Sequence, residues 1–172
     1  MKFIKDLTLR LALCFIILFS NIFYYIMYPL TYYTTYLILR IFYNIQLGDY
    51  SYIIGSYEIK LIEACIGISA YILITFLIFL TYGIPWKQRF KILGLGIILI
   101  YLMNIIRLIF SIFILTNYSY DLFNKFHLLF WTILSTLYVF GVWIFLIYKF
   151  KIKTIPIYSD YIKLKRYLKK LK

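Results

Sequence analysis

The chain has 172 residues, 65% of them hydrophobic and only 15% charged, with a formal net charge of +13. A soluble domain of this length cannot hide so many apolar residues, and disorder requires low hydrophobicity, so both classes are excluded. Long apolar runs instead indicate an integral membrane protein.

In chain order, the first predicted span runs from Leu9 to Tyr28. Its length and the bulky Tyr24-Tyr25 end argue against a cleavable signal peptide. The next segment, Leu30 to Gln46, follows Pro29 and carries Arg40 and two adjacent threonines. It reads as an interfacial or re-entrant helix with Tyr32, Tyr33, Tyr36 and Phe42 at headgroup depth. A tilted true span is the competing reading, since about 17 residues are just long enough. Between Gly48 and Glu63 a short alternation has Gly55-Ser56 at its middle, flanked by Tyr52-Ile53-Ile54 and Tyr57-Glu58-Ile59. That pattern predicts a small outer β-hairpin.

Three further spans are expected at Ala64 to Tyr82, Ile92 to Leu115 and Leu128 to Tyr148. Each of the four gives about 20 residues, or ~30 Å of helix, which matches the hydrocarbon core. The fold class is therefore an all-α polytopic membrane protein, a helix bundle of about four spans plus the interfacial helix and the hairpin. Residues 1–148 form the membrane domain and 149–172 a basic tail. In that tail Tyr161, Leu164, Leu168 and Leu171 fall at helical spacing, as in an amphipathic helix lying on anionic inner-leaflet lipid.

Charge orients this arrangement. Residues 149–172 carry +8, the loop with Lys87, Arg89 and Lys91 carries +3, and the first ten residues carry +2, while the rest sums to zero. Four spans put all three basic segments on one side, which the positive-inside rule makes cytoplasmic, both termini included. The same confinement explains the basicity without nucleic acid, which is not an expected partner.

Few ionisable groups remain in or beside the spans. Arg107 lies about 22 Å along the third span and about 12 Å short of its outer end. An arginine so placed marks a functional site by default. Asn104 and Ser111, three before and four after it, extend a polar stripe along one face. Of the two cysteines, Cys14 has apolar neighbours and reads as a small buried hydrophobe. Cys65 follows Glu63-Ala64, precedes Gly67, and sits near a helix start, where the helix dipole attracts negative charge. The single histidine, His127, stands at the outer entrance of the last span.

The topology thus brings Cys65, Arg107 and His127 to one outer level from three helices. Together they suit nucleophilic acyl transfer: a thiol nucleophile, an imidazole that moves the proton, and a guanidinium for the oxyanion. One histidine and one candidate cysteine are too few for a zinc centre, and neither a metal nor another cofactor is expected.

These residues resemble a known family. Glu63-Ala64-Cys65-Ile66-Gly67-Ile68 resembles the E-A-C-S-G signature of the exosortase/archaeosortase family of membrane transpeptidases. Asn104-Ile105-Ile106-Arg107 is similar to that family's N-x-x-R block, and His127 with Trp131 resembles its third block, over residues 50–148 in the family's order. The resemblance implies Cys65 as nucleophile, Arg107 as the oxyanion-stabilising residue and His127 as base or acid, with Glu63 and Asn104 in support. It further implies a multi-pass protein of the cytoplasmic membrane with its site at the outer face. Its substrates would be secreted proteins bearing a carboxy-terminal motif, transmembrane helix and basic cluster. The cleaved carboxyl end would pass to a lipid or other envelope acceptor. Two other readings stay open: a non-enzymatic polytopic protein (an assembly factor or transporter subunit) with Arg107 as structural ion partner of Glu63 or Asp121, and a lipid-acting enzyme with Arg107 holding a phosphate.

Overall fold

A computed structural model describes residues 2–154 and 156–171; the side chains of Lys2, Trp131, Thr132, Leu168, Lys170 and Leu171 lie outside that description. The chain opens with two helices, α1 (Lys2–Phe19) and α2 (Ile22–Phe42), bent by 55° where they meet. The break falls at Ser20-Asn21 and not at Pro29, which lies inside α2. Proline removes one helical hydrogen bond, but the buried face of α2 recurs at helical spacing through it. Phe23, Met27, Tyr28, Thr31, Tyr32, Thr35 and Leu39 all point into the core. Tertiary packing therefore carries the helix past the proline.

Tyr32 is buried within the protein. Its ring stacks between Tyr28 (6.0 Å) and Tyr52 (5.1 Å). Its hydroxyl donates to the Gly48 carbonyl at 2.9 Å, and the Tyr52 hydroxyl donates back to the Tyr32 carbonyl at 2.8 Å. Tyr33 and Phe42 are exposed.

These tyrosines tie α2 to a three-stranded antiparallel sheet: β1 (Ile45–Leu47), β2 (Ser51–Ile54) and β3 (Tyr57–Lys60), in that order. Ile54 pairs with Tyr57 across a two-residue turn, and Gly55 takes φ +60°, which the first position of a primed hairpin turn favours. The third strand, β1, comes from the end of the segment read as an interfacial helix. It forms because Tyr43 leaves the helix in an extended conformation and Ile45 to Leu47 find partners in Ile54 to Tyr52.

The stretch expected as a single span from Ala64 is divided at Gly67 into one turn, α3 (Glu63–Ile66), and a shorter helix, α4 (Ile68–Phe79). Next comes α5 (Trp86–Asn117), the one helix long and apolar enough to cross a membrane unaided among the described residues. At about 1.5 Å per residue it exceeds the hydrocarbon thickness. The α1–α2 pair meets the same test only if its two bent halves count as one span.

The last membrane-side helix begins at Tyr120, earlier than expected, because the Ser119 side chain caps it by accepting from the Leu122 amide at 3.3 Å. It continues as α6 (Tyr120–Leu129), a π-helical turn (Phe130–Leu134) and α7 (Ser135–Lys149). The Ser135 hydroxyl donates to the Phe130 carbonyl at 2.6 Å within the π turn. The core fills the space between α2, α4, α5 and α7, with Tyr71, Ile74, Ile92, Ile100, Val139 and Leu146 at its centre.

Two arginines close the far end of α4. Arg89 donates to the carbonyls of Ile78, Phe79, Thr81 and Ile84. Arg10 donates to the Phe79 carbonyl at 3.3 Å and holds Asp160 in a two-pronged ion pair at 2.8 and 2.9 Å. Those bonds satisfy carbonyls that a helix end leaves orphaned. They also dock the tail helix, α8 (Tyr158–Leu171), with Tyr161 left exposed. The amino-terminal segment, the Lys87 loop and the tail thus converge at one end of α4, while Cys65 lies just beyond the other.

Arg10 also holds Asp6, at 3.0 Å, so losing Asp160 weakens this network without leaving the guanidinium unpaired. Asp160→Ala is expected to cost about 2 kcal/mol of stability, the loss of hydrogen bonds to a charged group, read as a lowered thermal midpoint in detergent. An unchanged midpoint would mean that the tail does not rest on this pair.

Candidate active site

Cys65 sits on a single helical turn whose carbonyls cannot be satisfied by continuing the helix. Ile62 enters extended, α3 runs from Glu63 to Ile66, and Gly67 takes φ +75° and redirects the chain into α4. The Gly67 amide bonds to the Glu63 carbonyl at 3.2 Å. The carbonyls of Ala64, Cys65 and Ile66 are left for other partners.

All three are taken up by α5. Nη2 of Arg107 donates to the Ala64 carbonyl at 2.9 Å and to the Cys65 carbonyl at 2.8 Å. Nδ2 of Asn104, one turn earlier, donates to the Ile66 carbonyl at 2.9 Å. The polar stripe of Asn104, Arg107 and Ser111 is buried as a whole.

Arg107 is only 7% exposed. Its Nε and Nη1 donors have no protein partner among the described residues, and the side chain lines a cavity of about 180 Å³. Ala64, Gly67, Asn104, Phe130 and Thr136 share that lining, so the π turn forms one wall. An apolar groove between α5 and α7 adjoins it, with Met103 and Tyr138 common to both.

His127 lies within α6, in the middle of a longer continuous helix and not at its opening. Its half-buried ring stacks on Phe123 at 5.5 Å. Burial, and after it the positive charge of Arg107, lowers the imidazole pKa below its ordinary value. The structure therefore joins Cys65 to Arg107 by direct hydrogen bonds at the backbone, and His127 to Arg107 through charge. Cys65 and His127 are not hydrogen-bonded to one another among the described residues.

The carboxylates behave otherwise than the ion-partner reading requires. Glu63 is exposed and makes no ion pair among the described residues, and Asp121 pairs with Lys125 at 2.8 Å on the surface. Arg107 is bound by neutral carbonyls. Cys14 is buried in the core. One neighbour was not legible in the sequence. Tyr71 is fully buried, its hydroxyl has no partner among the described residues, and it interacts electrostatically with Arg107. Nothing distinguishes it from the other tyrosines of so aromatic a chain. The π turn likewise leaves no compositional trace.

Residues 2–149 match the family described as Transmembrane exosortase (Exosortase_EpsH). The match spans most of the chain, which therefore belongs to the transmembrane exosortase family. No curated protein and no solved structure matches it.

Because His127 is the only histidine, its titration can be followed by NMR without assignment. Its midpoint is expected below about 6.5, and Arg107→Gln should raise it by removing a nearby positive charge. A midpoint at or above the ordinary value would contradict the burial seen here. The unfolded chain binds the proton more readily than the fold does, so stability from this group is lost as pH falls through that range.

Proposed function

We propose that this exosortase-family membrane protein is a cysteine transpeptidase or protease, with Cys65 as nucleophile, Arg107 as oxyanion stabiliser and His127 as the proton carrier. The observation that carries the reading is the position of Arg107. Its Nη2 binds the backbone of the Cys65 turn, while its remaining donors and its charge stay available beside a cavity.

His127, neutral at rest, takes the Cys65 thiol proton; the resulting Sγ thiolate attacks the scissile carbonyl carbon, and negative charge develops on the carbonyl oxygen. A buried guanidinium stabilises that oxyanion far better than water-exposed donors would. The C–N bond then breaks, the amine departs with a proton from His127, and a thioester to Cys65 remains. An acceptor amine or hydroxyl, deprotonated by His127, attacks the thioester carbon. The C–S bond breaks and the thiolate is restored. A low pKa at His127 favours the neutral imidazole that this last step requires. Hydrolysis by water in place of the acceptor would make the same site a protease.

The substrates of this reading are secreted proteins with a carboxy-terminal motif, a transmembrane helix and a basic cluster. The apolar groove between α5 and α7 offers such a helix a lateral approach, and a lipid or other envelope component would accept the cleaved end. Orientation follows from charge. The basic segments gather at the Arg10–Arg89 end of α4 and face the cytoplasm by the positive-inside rule. Cys65, at the other end, then faces outward in a four-span protein with both termini inside.

In cells, Cys65→Ala is expected to abolish maturation of sorted proteins at unchanged protein level. Arg107→Ala should slow it by about 100-fold or more. Normal maturation in Cys65→Ala would refute the reading.

A further inference from the structure

We propose that Asn104 is a positioning residue for the nucleophile, acting on Cys65 through the left-handed turn at Gly67. The proposal rests on the reading of Cys65 as a nucleophile and adds to it the device that aims the thiol.

The direction of a one-turn helix is set by the peptide units that end it. The peptide between Ile66 and Gly67 is the weakest of these, because glycine adopts either sign of φ with little penalty. A flip of that peptide would turn the Ile66 carbonyl away, release the end of α3 and let Cys65 swing. Arg107 does not prevent this, since its bonds reach only the carbonyls of Ala64 and Cys65.

Asn104 blocks the flip in two ways. Its Nδ2 donates to the Ile66 carbonyl at 2.9 Å in a buried setting. Its Oδ1 stands 3.3 Å from where a Cβ on Gly67 would lie, so the amide also packs over the glycine. One side chain thus holds the peptide after Cys65 and covers the residue that would allow it to rotate. Gly67 is required twice, by its φ of +75° and by the closeness of Asn104.

The test uses the detergent-solubilised full chain with Cys14→Ala, so that Cys65 is the only thiol. Its alkylation by iodoacetamide is followed across pH in the parent, Asn104→Leu, Gly67→Ala and the double variant, alongside thermal midpoints. Asn104→Leu and Gly67→Ala are each expected to slow alkylation about tenfold or more. The double variant should be no slower than the worse single one, because both act through one turn. Asn104→Ser replaces Asn104→Leu if the latter does not fold. Equal rates in folded variants, a change confined to the thermal midpoint, or effects that multiply in the double variant would each overturn the proposal. A parent thiol that alkylates no faster than a simple thiol and is indifferent to Arg107→Ala would instead refute the nucleophile reading beneath it.

Discussion

The fold around Cys65 depends on one guanidinium, that of Arg107, bonded to the carbonyls of Ala64 and Cys65. Burying an arginine in a membrane helix costs about 2.5 to 3.5 kcal/mol on insertion scales. Hydrogen bonds to a charged group contribute about 1.5 to 3 kcal/mol each, so two of them offset that cost without any carboxylate. Among the described residues no carboxylate pairs with Arg107, and this matters chemically. An ion-paired arginine would have its field cancelled, whereas one held by neutral carbonyls keeps it for an oxyanion. Structure and chemistry thus ask the same thing of this residue.

At the far end of α4 arginines again collect carbonyls, here with carboxylate partners as well. There Arg89 collects four carbonyls and Arg10 bridges Phe79 to Asp160. The short apolar helix α4 is therefore held at its far end by Arg89 and Arg10, while Arg107 holds the α3 turn that precedes it. Its interior is occupied by fully buried Tyr71 and Ile74. Rigid anchoring suits the proposed nucleophile, which rides on a turn of only four residues. That arrangement also separates the basic segments from Cys65 by the length of α4, which links the charge distribution to the direction of the site.

Much of this was legible from the residues. Arg107 in a span and Cys65 after Glu63-Ala64 are rare events in an apolar chain, and physical cost made them conspicuous. Gly55-Ser56 between alternating runs has a local turn chemistry that needs no tertiary information. What escaped were boundaries set by packing and capping. Pro29 looked like a helix start, yet the buried stripe from Phe23 to Leu39 overrides it. His127 looked like the opening of a helix, but Ser119 caps it earlier. Strand β1 was hidden because three residues, Ile45 to Leu47, pair only once the hairpin exists. The docking of α8 through Asp160 could not be read locally either, since its partner Arg10 lies at the opposite end of the chain.

In the proposed reaction Arg107 holds Cys65 as a reactive thiol at the outer membrane face. The most direct measurement is labelling of right-side-out vesicles with a membrane-impermeant maleimide, comparing the parent protein with Cys65→Ala and Arg107→Ala. The account predicts rapid labelling that requires Cys65 and slows without Arg107, with buried Cys14 unlabelled. Labelling that appears only after the membrane is opened, or that ignores Arg107, would contradict it.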